Sequence, residues 1–270
     1  CLWVAFRNAD PTTLLGVLAG ASIPYILLSA AFNLVSAFVK CTKMGVLVRP
    51  ITRIRYRDLF AAEMVSVLVD TIFPLRLHEF VRAYLLSRRG TLSASFVFGA
   101  EFVVKVVEAL LLTGGLLALS ALAVMPAWAI TGIRSMVVLA WMAALFLIVM
   151  VRWPTLGNIP FGLLARVKMR GTTRVGQMIT DALDGISRTA VKPSALLGVL
   201  FVTATEWLLL AGSLWSAALA VGVHLSPVEL LGFLLANHLA FAVPSSTSGS
   251  IGIYEATGTM TMVLLFAMQQ

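Results

Sequence analysis

The stretch from Pro74 to Tyr84 places several charged side chains directly after an interrupted apolar segment. Arg76, Glu79 and Arg82 follow one another at intervals of three residues, so on a helix Glu79 can pair with either arginine. A guanidinium stays charged and donates paired hydrogen bonds to phosphate or carboxylate. The spacing therefore predicts a clamp for an anionic lipid head group, or alternatively a structural ion-pair ladder.

Three further charges, Glu101, Lys105 and Glu108, are four and three residues apart within a long apolar run. At the centre of a bilayer each would cost about 2.5 to 3.5 kcal/mol on insertion scales, so we expect all three to face inward and pair. Lys105 can neutralise one glutamate, and the other should find a cation elsewhere, with Arg76 and Arg82 as candidates. Such an intramembrane charge network serves either transport or helix packing.

A third polar stretch follows Pro244, where small residues lead to Gly252. A loop of this kind exposes backbone N–H groups, and a helix that begins near Gly252 would direct the positive end of its dipole towards them. We therefore expect Gly249, Gly252 and Glu255 to help bind an anionic head group. A polar external loop between two membrane crossings is the alternative.

The composition requires that these residues lie in a membrane protein. Apolar residues make up 60% of the 270-residue chain and charged residues 12%, whereas soluble proteins have about 45–50% and 25%. A soluble enzyme, a disulfide scaffold and a disordered tail are excluded. The two cysteines and three histidines lack the spacing of a metal or redox motif, and we expect no metal, no cofactor and no catalytic residue.

Four long apolar runs predict membrane-spanning helices: Thr12–Val39, Ser93–Val124, Met136–Val151 and Ser194–Val221. As a helix the first run would be about 42 Å long, more than the roughly 30 Å hydrocarbon layer, so it should tilt or kink at Pro24.

Two further apolar regions, Leu59–Leu86 and Val228–Met268, are interrupted by proline and polar residues and predict broken or re-entrant helices. The chain is thus expected to be an all-α, polytopic membrane protein with one domain over residues 1–270. An inverted repeat is an open option, because the two broken regions lie in separate halves. Because the chain begins within an apolar run, we expect a first helix before residue 1; a lipoprotein cysteine at Cys1 is the rival explanation.

The positive charges predict the orientation, since 17 of the 20 Lys and Arg residues fall in the stretches 40–57, 76–89 and 152–192. These stretches are expected to be cytoplasmic loops, the last one with one or two surface helices. If the first two lie on one side, Leu59–Leu75 must enter the membrane and return as a hairpin. Irregular backbone at that depth should border a wet cavity.

Three patterns together resemble the flippase-like family of bacterial and archaeal membrane proteins, which includes the transmembrane flippase domain of lysylphosphatidylglycerol synthase. They are Pro74-x-Arg76-x-His78-Glu79-x-x-Arg82, Lys105-x-x-Glu108, and Pro244 to Glu255 with its Gly-x-x-Gly-x-x-Glu ending. The resemblance implies a multi-pass protein of the bacterial plasma membrane with re-entrant helices. It also implies that phospholipids or lipid-linked head groups are the partners, and not nucleic acid.

The leading hypothesis is therefore a lipid flippase or lipid-transport protein. The second is a noncatalytic accessory subunit of a membrane complex, which gains some support because His78 and Lys105 differ from the residues usual in the family. A lipid-transfer enzyme is disfavoured, since no nucleotide loop, metal cluster or nucleophile with its base is visible.

The shared side of residues 40–57 and 76–89 can be tested by cysteine labelling in intact cells. We expect cysteines at Arg53 and Arg88 to react from the same, cytoplasmic side. Labelling from opposite sides would show that the segment between them crosses the membrane.

Overall fold

The computed structural model of the chain describes residues 11–73, 77–89, 92–123, 125–152, 172–242 and 256–261. These residues form helices and no strand, which confirms the all-α prediction. Within them, ten helices follow one another, and residues 256–261 are helical as well: α1 Pro11–Ala19, α2 Ile23–Lys40, α3 Thr42–Val48, α4 Tyr56–Ile72, α5 His78–Arg89, α6 Ala94–Leu122, α7 Ala127–Arg152, α8 Thr172–Ala190, α9 Pro193–Ala220 and α10 Pro227–Ala242.

Four candidate membrane spans are long and apolar enough to cross a bilayer, which confirms a polytopic membrane protein. They are Ile23–Val48, Ala94–Leu122, Ala127–Arg152 and Pro193–Ala220. The first span differs from the predicted Thr12–Val39. The helix is interrupted just before Pro24, and the Ser22 N–H there donates to the Ala220 carbonyl at 2.8 Å.

The first broken region is a helical hairpin made of α4 and α5. The prediction that Leu59–Leu75 enters and returns by itself is wrong, because Tyr56–Ile72 is one helix of 17 residues, about 26 Å long. The chain turns after Phe73, and residues 78–89, predicted to be part of a basic loop, form the returning helix. Proline at position 74 explains why α4 cannot continue.

The two ends of the bundle are defined by the antiparallel packing of α2–α3 on α9. At one end the Ser22 N–H donates to the Ala220 carbonyl. Towards the other end Gly198 packs closely on Val46, since a Cβ added to Gly198 would lie 2.7 Å from the Val46 side chain. We call this second end the basic end, because the loop 49–55, the end of α5 and Lys192 belong to it. Small residues allow the close approach of the helices, and Ser29 donates to the Ser213 carbonyl at 2.9 Å.

The second broken region starts from the end opposite the basic end. Helix α10 begins with a reciprocal cap in which the Ser226 N–H donates to Glu229 and the Glu229 N–H donates to Ser226. It has 16 residues and reaches the middle of α9, where the His238 and Trp207 rings are 4.0 Å apart. The two broken regions thus start from opposite ends, and the inverted repeat stays a prediction.

Helix α8, in a stretch predicted to form one or two surface helices, packs tightly against α6 and keeps an exposed face that carries Asp184 and Arg188. A Cβ added to Gly99 would lie 1.9 Å from the Ala182 carbonyl oxygen, and one added to Gly185 would lie 2.1 Å from that of Phe96. The two backbones therefore touch through glycines, which fixes the basic half of α6.

The glycine contact gives a stability prediction with a control on the same helix. We expect Gly99→Ala to lower the free energy of unfolding by about 1 to 3 kcal/mol, because the new methyl group must displace α8. Gly114→Ala should cause no loss, since a Cβ there meets nothing within 4 Å. Thermal unfolding in detergent would measure both, and equal stability of the two variants would contradict the close contact.

Candidate functional site

Two glutamates of the paired charged residues lie near the middle of spanning helices. Glu108 lies 14 residues after the start of α6 and Glu206 lies 13 residues after the start of α9, which corresponds to about 20 Å along each helix. Both positions are close to the midpoint of their helix. The site is therefore placed at half depth, where unpaired charges are most costly.

Arg82 of α5 is the centre of a first ion chain. Its two terminal nitrogens lie 2.5 Å from Glu63 of α4 and 2.5 Å from Glu101 of α6. Lys40, at the end of α2, binds the other oxygen of Glu63 at 2.9 Å. The side chains of Glu63 and Glu101 are only 3% and 4% exposed. Two cations and two carboxylates thus balance inside the bundle and tie both limbs of the hairpin to α2 and α6.

Lys43 of α3 is the centre of a second ion chain. Its ammonium lies 2.6 Å from Glu108 and also pairs with Glu206 of α9. Glu108 is shared with Lys105 at 3.4 Å, and Lys105 reaches Glu79 of α5 at 3.2 Å. This chain of alternating charges joins α9, α3 and α6 to the start of α5.

His78 connects the second chain to the last turn of α4. Its Nδ1 lies 3.3 Å from Asp70, and its Nε2 lies 3.6 Å from Glu79. The contact to Asp70 is an ion-pair contact and not an aligned hydrogen bond. The imidazole is therefore placed between a carboxylate from each limb of the hairpin.

A cavity of about 30 Å³ lies where the first and second ion chains meet. It is lined by charged side chains of both ion chains, among them Lys43, Arg82 and Glu101. Within the part of the chain that is described, Arg82 Nε and Glu101 Oε1 are buried without a hydrogen-bond partner. A cavity of this size has room for about two water molecules, which such polar atoms would hold.

The predicted pairing of the network is present. Lys105 pairs with Glu108, and the buried Glu101 finds its cation in Arg82, one of the two predicted candidates. Lys43 is an additional partner of Glu108 that was not predicted. Lys105 lines the central cavity and reaches Glu79 at the start of α5, and its side chain is 45% exposed.

The predicted arginine clamp has a different geometry. Glu79 was expected to orient Arg82, but Arg82 is held by Glu63 and Glu101, and Glu79 pairs with Lys105. The two carboxylate contacts occupy one N–H of each terminal nitrogen, and Arg82 Nε is without a hydrogen-bond partner. Four other predicted residues lie outside the described residues, namely Arg76, Gly249, Gly252 and Glu255.

Sequence reasoning missed the cations and acids that complete the network. Lys40 and Lys43 were assigned to a basic loop, although they continue the apolar helix of the first span, which the structure extends to Val48. Glu63 and Glu206 were not assigned to the site. A useful signal is that each is a single charge within a mostly apolar stretch.

No group of three or more potential metal ligands is found among the residues whose positions are described. The carboxylates of the site are instead engaged by lysine and arginine. The charged side chains of the two ion chains can exchange ion-pair partners, because each cation and each carboxylate has a neighbour of opposite charge.

A helical membrane bundle with a paired charge network at half depth and a helical hairpin defines a polytopic membrane protein with a polar interior. The family model of the lysylphosphatidylglycerol synthase TM region matches residues 1–269, so the chain belongs to that family and is a lipid-related membrane protein. No curated protein and no solved structure matches the chain.

The ion chains predict that removing one partner is worse than removing two. Lys43→Met takes the cation from Glu206, and we expect a loss of about 3 to 5 kcal/mol in the free energy of unfolding. The double variant Lys43→Met/Glu206→Gln should recover at least half of that loss, since Glu108 keeps Lys105.

The control is the exposed pair of Arg188 and Asp184 on α8, in which Arg188→Met should cost less than about 0.5 kcal/mol. Chemical unfolding in detergent would compare the variants. A double variant as unstable as Lys43→Met would show that the Glu206 charge does not depend on Lys43.

Proposed function

We propose that the chain moves phospholipids or lipid-linked head groups between the leaflets of a bacterial plasma membrane and catalyses no covalent reaction. The observation that carries the proposal is Lys105. Its side chain is 45% exposed although it lies 11 residues, or about 16 Å, inside a spanning helix. An exposed ammonium at that depth needs water or a polar group beside it.

The ion chain behind Lys105 supports a polar path into the bundle. Lys105 shares Glu108 with Lys43, and Lys43 shares Glu206, so opposite charges continue from the exposed site to the middle of α9. A lipid phosphate can take the place of a carboxylate on such a cation, and a lipid ammonium can take the place of a lysine. The chemistry fits an anionic or zwitterionic head group.

The size of the cavity indicates that the described arrangement is a closed one. Pockets for small molecules usually have about 300 to 1,000 Å³, whereas this cavity has about 30 Å³. A head group can enter only if the α4–α5 hairpin moves away from α6. The contacts that must break are the pairs Arg82–Glu101 and Glu79–Lys105, which join the hairpin to α6.

The residues predicted to bind the head group keep that role in the proposal. Arg76 lies between α4 and α5 in the sequence, and Gly249, Gly252 and Glu255 follow α10. Lys105 is the cation that an entering anionic group would meet first, because the other cations of the network are less exposed.

A noncatalytic accessory subunit is the second candidate, and the exposure of Lys105 also favours it. A partner subunit with a carboxylate at the matching depth would cover the ammonium in the same way as a lipid phosphate. The two candidates differ in one respect: only the transport protein should move lipid when it is alone in a membrane.

The test is lipid redistribution in liposomes that contain only the purified chain. Fluorescent anionic and zwitterionic phospholipids report exchange between leaflets by their loss of fluorescence to an external quenching reductant. We expect the wild type to exceed protein-free liposomes by at least about tenfold, and Lys105→Ala to lose most of that rate.

The matched control is Arg188→Ala, which removes an exposed cation outside the network and should keep the wild-type rate. If the wild type moves neither lipid at any membrane potential or pH, the transport function is wrong and the accessory subunit becomes the better proposal. Equal rates for Lys105→Ala and the wild type would remove Lys105 from the path.

A further inference from the structure

His78 has a carboxylate at each ring nitrogen, and the two carboxylates come from different limbs of the hairpin. Asp70 of α4 lies 3.3 Å from Nδ1, and Glu79 of α5 lies 3.6 Å from Nε2. A neutral imidazole has one N–H donor and one lone pair, whereas the imidazolium has two donors. Only the protonated ring can therefore face both carboxylates favourably.

The charges around His78 leave room for one more positive charge. Among the described residues, the second ion chain together with Asp70 contains four carboxylates, those of Asp70, Glu79, Glu108 and Glu206, and the two ammonium groups of Lys43 and Lys105. The first chain, from Lys40 to Glu101, is balanced. A proton on His78 thus lowers the excess of negative charge from two to one.

The charged groups that act most strongly on the imidazole are Asp70 of α4, Glu79 of α5 and Lys105 of α6. The cavity that His78 lines is also lined by further charged side chains from α2 to α6, namely Lys40, Lys43, Glu63, Arg82, Glu101 and Glu108. Lys105 opposes protonation, but it also neutralises Glu79 at 3.2 Å, closer than His78 does. Glu79 is therefore shared by two competing cations.

Protonation of His78 is sensitive to the position of the hairpin. Asp70 and Glu79 come from different limbs of the hairpin, so both are close to the ring only while the limbs are together. An opposite charge within about 4 to 6 Å favours the charged ring. The imidazolium is therefore favoured in the closed hairpin, and separation of the limbs removes one of its carboxylate neighbours.

We propose that His78 is a proton-binding site that couples movement of the lipid to exchange of a proton with water. In the protonated state the imidazolium joins α4 to α5 and keeps the hairpin closed on α6. When the N–H proton passes to water, the neutral ring releases one carboxylate, Glu79 stays with Lys105, and the last turn of α4 is free to move. The coupling rests on the proposed lipid transport, but the proton site does not.

The proton site can be measured without any transport. Histidines labelled with ¹⁵N are titrated by NMR in the purified full chain, and His78→Gln identifies the signal of His78 among three histidines. Asp70→Asn should lower the titration midpoint of His78 by at least about one pH unit, because an opposite charge within 4 to 6 Å favours the charged ring.

Glu79→Gln should act in the same direction, and Asp184→Asn, an exposed acid on α8, should leave the midpoint unchanged. An unchanged midpoint in both Asp70→Asn and Glu79→Gln would overturn the proton site.

The coupling is tested in the liposome assay with equal pH on both sides of the membrane. We expect the wild-type rate to rise several-fold as the pH passes upward through the midpoint of His78. His78→Gln should be fast and independent of pH, since glutamine cannot be protonated there. A wild-type rate that is the same at every pH would overturn the coupling and leave lipid transport intact. No lipid movement at any pH would overturn transport and coupling together, and the titration would then decide the proton site alone.

Discussion

The fold depends on the need to neutralise Arg82 inside an apolar bundle. Its guanidinium is shared by Glu63 and Glu101, and each carboxylate comes from a different helix. Removing Glu101 would leave Arg82 and Lys40 with one carboxylate between them, and the excess buried charge would cost several kcal/mol. The hairpin of α4 and α5, which is shorter than a membrane crossing, is therefore held against α6 by electrostatics as well as by packing. The second chain around Lys43 extends the same constraint to α9.

Much of the helical architecture could be predicted because long apolar runs have one stable solution in a bilayer. Ser93–Val124 and Ser194–Val221 differ from the observed helices by only one or two residues at each end. The charges at Glu101 and Glu108 were also expected to pair. The pairs Arg82–Glu101 and Lys105–Glu108 were anticipated, but the second partner of Glu108 was not, since helical spacing shows which residues share a face and not which distant segment covers it. Lys43 is the clearest case, because cations near the end of a span look like loop residues in the sequence.

The two ion chains hold the bundle in a closed state whose ion pairs can still rearrange. Every cation in it has a carboxylate partner, and the central cavity holds little more than water. Opening requires partner exchange and not the creation of bare charges, which keeps the energetic cost low in a medium that penalises unpaired ions. A lipid head group and a proton are the two charged species that can take part in such an exchange. Lys105 and His78, at the open end of the second chain, are the residues that would meet them.

The depth of the hairpin is the most direct test, because both the network and the proposed path require it to stop halfway. Lys105, which pairs with the start of α5, lies about 16 Å from the basic end of α6, close to the centre of a roughly 30 Å layer. A spin label at the exposed Phe73 can be placed by its relaxation with oxygen and with a water-soluble nickel reagent. We predict a position within about 5 Å of the bilayer centre. A label at either membrane surface would contradict a half-depth hairpin held by Arg82.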